Sequence, residues 1–156
     1  MRPSWDATWM AVADVMARRS ACVRAQVGCV IVDPTNRVVA TGYNGPPAGY
    51  IMALSHPNCR AYCPRAIADL PAEGYVDCVS AHAEMNAVAF VDRRECEGGT
   101  IYVTGAVCLM CAKTIANSGL LRVVMRTAEA YRDPERTTTF LRDCGLVVDD
   151  WKEEGA

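Results

Sequence analysis

Two short motifs restrict most strongly what this chain can fold into. The first is His82-Ala83-Glu84 and the second is Cys108-Leu109-Met110-Cys111. Each stands at the start of a segment with helical character, and a predicted strand lies between them. A histidine and two cysteines leave one position open in a tetrahedral zinc shell, as catalytic zinc sites require. The fold is therefore expected to bring two helix N-termini together, where the positive end of each helix dipole favours thiolates.

Helices and strands alternate along the rest of the chain. Apolar residues recur at helical spacing from Trp5 to Met16, which predicts an amphipathic helix over 4–19. Two β-branched runs joined by turn residues predict a hairpin over 27–43. Further helices are predicted at 83–94, 109–118 and 134–143, and further strands at 100–104, 122–125 and 146–148. After the leading helix the order is ββαβαβαβ, which predicts an α/β fold, a single-domain α/β/α sandwich around a central mixed five-stranded sheet.

Composition excludes several classes of protein. The 156 residues are 51% hydrophobic and 22% charged, typical of one globular domain spanning 1–156. The net charge is −2, and positive and negative residues are interspersed along the chain. Nucleic acid is therefore disfavoured as the main substrate, and no basic surface favours binding to an anionic membrane. No apolar run approaches the roughly 18 residues of a membrane span, and the start lacks a signal-peptide pattern, so we expect a cytoplasmic protein.

A long stretch without periodicity, 44–78, interrupts the regular pattern. Glycines and prolines punctuate it repeatedly, and a loop this long in a small domain is functional or is fastened by something other than a core. The chain has nine cysteines, which in a reducing compartment indicate metal ligation or catalysis more than disulfides. Four of them flank this stretch or lie within it: Cys22, Cys59, Cys63 and Cys78. Packing as small apolar side chains is the alternative for these four.

Four segments carry a resemblance to a known family. They are Val27-Gly28-Cys29-Val30-Ile31-Val32, Gly42-Tyr43-Asn44-Gly45, His82-Ala83-Glu84-Met85-Asn86-Ala87 and Cys108-Leu109-Met110-Cys111-Ala112-Lys113-Thr114-Ile115. In this order they resemble the deoxycytidylate (dCMP) deaminase family of the cytidine deaminase-like zinc deaminases, over about residues 5–149. The resemblance implies the cytidine deaminase-like fold. One departure is Val107, where the family usually has proline before the first cysteine; Gly105-Ala106 also replaces residues that are more often larger or polar.

The resemblance implies a reaction and its machinery. His82, Cys108 and Cys111 would hold a catalytic zinc ion, and Glu84 would move protons without binding the metal. The implied reaction is hydrolytic deamination of a cytosine nucleotide, dCMP plus water giving dUMP plus ammonia. Deamination of a nucleoside, a free base or another modified nucleotide uses the same chemistry. Adenosine in tRNA is disfavoured because clustered Lys and Arg are missing.

The family also implies substrate contacts. Asn44 would hydrogen-bond the sugar or base, and Ala83 would lie against the substrate. Arginine suits bidentate phosphate recognition, so three arginines are candidates for the 5′-phosphate. These are Arg24, Arg126 and Arg132, and Tyr131 is a candidate for the pocket wall.

A second zinc ion and an oligomer also follow from the resemblance. Several family members carry a closed structural zinc site at matching places, which predicts zinc at Cys22, Cys59, Cys63 and Cys78 and a zinc-fastened segment 44–78. His56 is a possible replacement for one of the four ligands. The family further implies a homo-oligomer, often a hexamer, and allosteric control by dCTP and dTTP.

Two interpretations from other classes stay open at this point. A Cys-x-x-Cys motif at a strand-to-helix junction is also typical of a dithiol oxidoreductase, which would bind no zinc and would leave His82 and Glu84 without a task. The other is a zinc-bound nucleotide-binding protein that has lost catalysis.

Overall fold

The computed structural model describes residues 2–70, 77–127 and 134–153. The first helix, α1 (Trp5–Ala17), begins after Ser4, whose hydroxyl accepts a hydrogen bond from the backbone N–H of Ala7. Strands β1 (Gly28–Val32) and β2 (Val38–Tyr43) follow as an antiparallel pair, which confirms the predicted hairpin.

A mixed five-stranded sheet forms the middle of the molecule. Its remaining strands are β3 (Thr100–Val103), β4 (Arg122–Met125) and β5 (Val147–Asp150), and the strand order is β2-β1-β3-β4-β5. Strand β1 pairs antiparallel with both neighbours, whereas β3, β4 and β5 are parallel. The predicted sheet type is confirmed.

Helices cover both faces of this sheet. Side chains alternate along a strand, so Val30 and Val32 of β1 face α1, while Cys29 and Ile31 face the opposite layer. That opposite layer contains α4 (Ala83–Ala89), α6 (Leu109–Ser118) and α7 (Pro134–Asp143). The α/β/α sandwich is therefore confirmed. No helix in the described ranges is long and apolar enough to cross a membrane.

The predicted helix at 83–94 is divided in two. Helix α4 ends at Ala89, and α5 (Arg93–Cys96) begins after Asp92. Asp92 and Glu95 form a reciprocal capping box that closes the N-terminus of α5. This Asp-x-x-Glu signal is present in the sequence and marks the break.

The segment predicted as irregular contains short helical turns. They are α2 (Ile51–Leu54), a 3₁₀ turn (Cys59–Ala61) and α3 (Pro64–Ile67). The described parts of this segment, 44–70 and 77–78, are therefore built from single turns joined by loops rather than from elements that reach the sheet.

Two arginines fasten α1 to the sheet. Arg122 of β4 donates two hydrogen bonds to the Asp6 carboxylate, at 2.8 and 2.7 Å, and the Tyr102 hydroxyl donates a third at 2.7 Å. The hydrogen bond with Arg122 lowers the pKa of Asp6. Arg126 binds both carboxylate oxygens of Asp14 at 2.5 and 2.8 Å. These pairs fix the helical layer that lies opposite α4 and α6.

Candidate metal centre and active site

Two helix N-termini bring three metal-binding side chains together. His82 immediately precedes α4, Cys108 immediately precedes α6, and Cys111 lies in the first turn of α6. The His82 Nδ1 atom is 3.4 Å from the Cys108 Sγ and 3.3 Å from the Cys111 Sγ. All three donor atoms lie within 4.8 Å of one another, and no other group of three or more His, Cys, Asp or Glu residues in the described ranges forms such a cluster.

The donor set fits zinc. Zinc bonds of about 2.0 Å to nitrogen and 2.3 Å to sulfur place neighbouring tetrahedral ligands roughly 3.5 Å apart, close to the nitrogen-to-sulfur distances found here. Three protein donors leave a fourth position for water or substrate. This arrangement is that of a catalytic zinc site rather than a closed structural one.

The two thiols of this site differ in their protonation. The hydrogen bond between them is the largest cause: it lowers the pKa of Cys108 to about 3 and raises the pKa of Cys111. The backbone N–H of Cys111 also donates to the Cys108 Sγ, at 3.5 Å. A lowered pKa favours the thiolate form of Cys108, which is the form that binds metal.

Glu84 lies beside the donors without belonging to their cluster. Its side chain is buried, with 3% of the residue exposed, and it contacts the Cys111 thiol. Burial is the largest cause that raises the pKa of this carboxyl. A buried carboxyl next to a metal site, but outside the donor group, is suited to proton transfer.

The first turn of α4 is fixed by the hairpin beneath it. A Cβ atom on Gly42 would lie 2.2 Å from the Ala83 carbonyl oxygen, so α4 approaches β2 more closely than any side chain would allow. The Cys29 thiol donates to the same carbonyl at 3.1 Å, and the Asn86 amide donates to the Tyr43 carbonyl at 2.8 Å. No local sequence pattern marks these contacts of Cys29 and Asn86, because they join elements that are distant in sequence.

Asn44 joins three segments near the site. Its Oδ1 accepts from the backbone N–H of Val27, and its Nδ2 donates to the Ala25 carbonyl, both at 2.8 Å. The next residue, Gly45, forms a two-bond antiparallel bridge with Ala81, immediately before His82. The side chain therefore positions backbone around the site, and its contact with substrate stays a prediction.

The arginines that are candidates for phosphate binding have different partners in the structure. Arg126 is bound by Asp14, as described above, whereas Arg24 forms a single ion pair with Asp69 at 2.9 Å. Tyr131 and Arg132 lie outside the described residues.

Four cysteines converge on one small cavity beside Arg24. Cys22, Cys59, Cys63 and Cys78 all line a cavity of about 20 Å³, and the Sγ atoms of Cys63 and Cys78 are 4.0 Å apart. The backbone N–H of Val23 donates to the Cys59 Sγ at 3.4 Å. His56 is not among the lining residues, and its Nδ1 lies 2.8 Å from the Met52 carbonyl oxygen.

Val107, which departs from the family pattern, is buried in the core. It belongs to the cluster between the sheet and α6, and its backbone N–H donates to the Met125 Sδ at 3.5 Å. The chain still enters α6 with Cys108 in the capping position. Valine therefore contributes apolar packing at this helix entry without displacing a donor.

Comparisons with known proteins agree with this geometry. The family model for the cytidine and deoxycytidylate deaminase zinc-binding region matches residues 3–127. The deoxycytidylate deaminase of Mycobacterium phage D29 is 41% identical over 123 residues, covering 79% of this chain and 94% of that protein. The deoxycytidylate deaminase of Saccharomyces cerevisiae is 37% identical over 150 residues, but this chain spans only 45% of its length.

A solved structure shares the fold over almost the whole length. The dCMP deaminase of cyanophage S-TIM5, in complex with dCMP and dUMP, matches with a TM-score of 0.72 at 25% identity, covering 97% of this chain and 99% of that one. The three-donor zinc site, the fold and the matched sequence lead to one conclusion: the chain belongs to the cytidine and deoxycytidylate deaminase zinc-binding family.

Proposed function

We propose that this protein is a zinc-dependent deaminase that converts dCMP and water to dUMP and ammonia. One observation carries the reaction type: His82, Cys108 and Cys111 converge beside the buried carboxyl of Glu84. The similarity to the deoxycytidylate deaminases of phage D29 and yeast supports dCMP as the substrate.

The roles of the residues follow from their placement. Bound zinc would supply hydroxide at neutral pH by lowering the pKa of a coordinated water. His82, Cys108 and Cys111 would hold the metal as its three protein ligands. Glu84 would take one proton from this water and deliver it to the pyrimidine ring nitrogen beside the amino-bearing carbon, to which the water oxygen bonds. Glu84 would then take the second proton of that oxygen and deliver it to the amino group, so that the carbon–nitrogen bond breaks, the oxygen becomes the carbonyl of dUMP and ammonia leaves.

The surroundings of Glu84 support this role. Burial favours the neutral form of the carboxyl, which reduces the cost of holding a proton between the two transfers. The proposed substrate contacts at Asn44 and Ala83 lie on the two segments that meet at the Gly45–Ala81 bridge. A dithiol oxidoreductase would use Cys108 and Cys111 but would give the adjoining imidazole and carboxyl no function.

Ammonia release from zinc-quantified protein tests the proposal. We would offer dCMP, CMP, deoxycytidine, cytosine and guanine side by side. Turnover of dCMP with little release from deoxycytidine is the expected result. Zinc-loaded protein that releases no ammonia from any cytosine compound would contradict the proposal and favour a non-catalytic nucleotide-binding protein.

We also propose a second, structural zinc ion at Cys22, Cys59, Cys63 and Cys78. The shared cavity of about 20 Å³ has room for a single ion or water molecule. Sulfur ligands of a tetrahedral zinc ion lie about 3.8 Å apart, and the Cys63–Cys78 separation is 4.0 Å. Such an ion would fasten the segment 44–78, whose turns do not reach the main core.

A homo-oligomer is the assembly we propose. Large apolar side chains are exposed on α4 and α6 and at the end of α4, and burial of such side chains drives association. They are Met85, Phe90 and Met110. Light scattering coupled to gel filtration would measure the assembly, and a monomer at enzyme-assay concentration would contradict it. Control by dCTP and dTTP stays a prediction, checked by adding each nucleotide to the same assay.

A further inference from the structure

Ser20 lies where the end of α1 meets the active site. It follows the last residue of α1 by three positions, and the residue is only 5% exposed. Its hydroxyl donates a hydrogen bond of 2.7 Å to the backbone carbonyl of Asn44, 24 positions away in the chain. Asn44 is a proposed substrate contact, and it precedes Gly45 of the bridge to Ala81. The Ser20 hydroxyl therefore acts on the backbone of a residue that faces the substrate in the proposed reaction.

The Ser20 hydroxyl is itself held in one direction. The backbone N–H of Cys22 donates to the Ser20 Oγ at 3.2 Å. A serine hydroxyl has one hydrogen to donate and lone pairs to accept, so the incoming N–H directs that hydrogen toward the Asn44 carbonyl. The Ser20 N–H donates to the Ala17 carbonyl at 3.0 Å, and its own carbonyl accepts from the Gln26 amide at 2.8 Å. Both the backbone and the side chain of Ser20 are thus fixed from the α1 side.

Ser20 completes the hydrogen bonds that hold Asn44. The Asn44 N–H donates to the Val27 carbonyl at 3.0 Å, and its side-chain amide binds the Val27 N–H and the Ala25 carbonyl. Those contacts come from the segment just before β1, whereas the Asn44 carbonyl is held from the end of α1. Asn44 is 9% exposed, and a buried carbonyl that loses its donor costs free energy or turns toward water. Loss of the Ser20 hydroxyl should therefore move the Asn44 backbone, and its amide with it.

We propose that Ser20 is a positioning residue of the deaminase: its hydroxyl fixes the Asn44 backbone and thereby directs the Asn44 amide toward the nucleotide. This inference rests on the proposed deamination of dCMP and adds to it a residue that acts through Asn44. A misdirected amide binds the substrate and the transition state equally poorly, so KM should rise while kcat changes little.

Steady-state kinetics of ammonia release from dCMP would test this role. Ser20→Ala removes the donor and should raise KM by about 10-fold, the loss expected for one hydrogen bond, while kcat stays within about twofold. Ser20→Thr keeps the hydroxyl and should hold KM within about threefold of the wild type. Calorimetric titration with dUMP should give the same order of affinities without turnover.

Ser118 provides a matched control at the end of α6 that is opposite the zinc donors. It is 7% exposed, its hydroxyl donates to the Ile115 carbonyl at 2.7 Å, and the Leu120 N–H donates to its Oγ at 3.4 Å. Ser118→Ala therefore removes the same pattern of hydrogen bonds without touching Asn44. It should lower thermal stability about as much as Ser20→Ala and leave KM for dCMP unchanged.

A double variant shows whether Ser20 acts through Asn44. Asn44→Ala should raise KM, and Ser20→Ala added to it should raise KM no further. Increases that multiply in the double variant would overturn the route through Asn44.

Failure of this inference differs from failure of the proposed function. An unchanged KM in Ser20→Ala, or an equal rise in Ser118→Ala, with a wild type that deaminates dCMP, would overturn the role of Ser20 alone. A wild type that releases no ammonia from dCMP would overturn the proposed function and the role of Ser20 with it. Loss of folded protein lowers the apparent kcat and leaves KM in place, so poor folding does not imitate the expected result.

Discussion

The molecule holds cysteines in two regions that are organised in opposite ways. At the start of α4 and α6, one imidazole and two thiols already lie within 4.8 Å of one another. In the segment 44–78 and its flank, four thiols share a cavity, yet no three of them appear among the clustered donors of the described residues. The first region lies on helices that pack against the sheet, and the described part of the second region consists of single turns.

The two regions differ in the interactions that position their metal-binding side chains. Packing and hydrogen bonds position the start of α4, which His82 immediately precedes, because Gly42 and Cys29 hold the first turn of that helix. The described turns of the four-cysteine segment pack in a separate small cluster, to which a bound ion would add order. Metal removal should therefore change the fold of the second region more than that of the first.

The largest effect should come from Glu84→Gln. Loss of the proton-transfer group should lower kcat by about 10²- to 10⁴-fold, while the three donors keep their zinc. Ammonia release and zinc content by mass spectrometry would be measured on the same sample. Activity near that of the wild type would refute the role of Glu84, and loss of zinc would show that this carboxyl supports the donors instead.

Paired glycine substitutions would test whether rigidity is confined to the first region. Gly42→Ala places a Cβ 2.2 Å from the Ala83 carbonyl oxygen and should cost about 3 kcal/mol of unfolding free energy. Gly49→Ala, in the four-cysteine segment, meets nothing within 4 Å and should be nearly neutral. Denaturant unfolding would give both values. Equal losses of unfolding free energy at the two positions would contradict the proposed difference in rigidity between the two regions.

Cysteine substitutions would show whether metal organises the second region. Cys59→Ser or Cys78→Ser should reduce zinc from two ions per chain to one and lower the unfolding free energy by about 2 kcal/mol. Cys144→Ser, at an exposed thiol, is the matched control and should change neither quantity. Zinc content and stability that match the control would show that these thiols only pack.

The smallest effect is expected outside both regions, at Asp6. The Arg122 pair holds the pKa of Asp6 below its unfolded value, so its contribution is present at neutral pH and is lost as the pH falls below about 4. Asp6→Asn should cost about 1 kcal/mol at pH 7 and progressively less in acid. Chemical unfolding from pH 7 to 3 would measure this convergence. A difference that is constant with pH would exclude the ion pair as its cause.

Local signals predicted the regular elements and the zinc donors. Helix α6 has the predicted bounds, since Cys108 caps its start and Gly119, at φ 95°, ends it. The division of the predicted helix at 83–94 was also readable, because Asp92 and Glu95 form a capping box. Both signals act within a few residues and need no knowledge of the tertiary fold.

Local sequence signals do not predict contacts between residues that are distant in the sequence. Arg126 was a candidate for phosphate binding, but it binds Asp14, 112 positions away in the chain. The Asn44 side chain forms hydrogen bonds with the backbone of Ala25 and Val27. Its local sequence indicates only a turn residue and does not predict these contacts. Which partner an arginine or an asparagine selects depends on the packed topology, and one sequence contains no direct record of it.

The bridge between Gly45 and Ala81 has a consequence for how this domain can change. Its two hydrogen bonds, at 3.1 and 2.9 Å, hold the two ends of the intervening segment together, so that this segment forms a closed loop. The closure cost of such a loop grows only slowly with its length. The stretches between the cysteines of this loop can therefore be lengthened or shortened while both ends stay in place, which makes them natural positions for insertions.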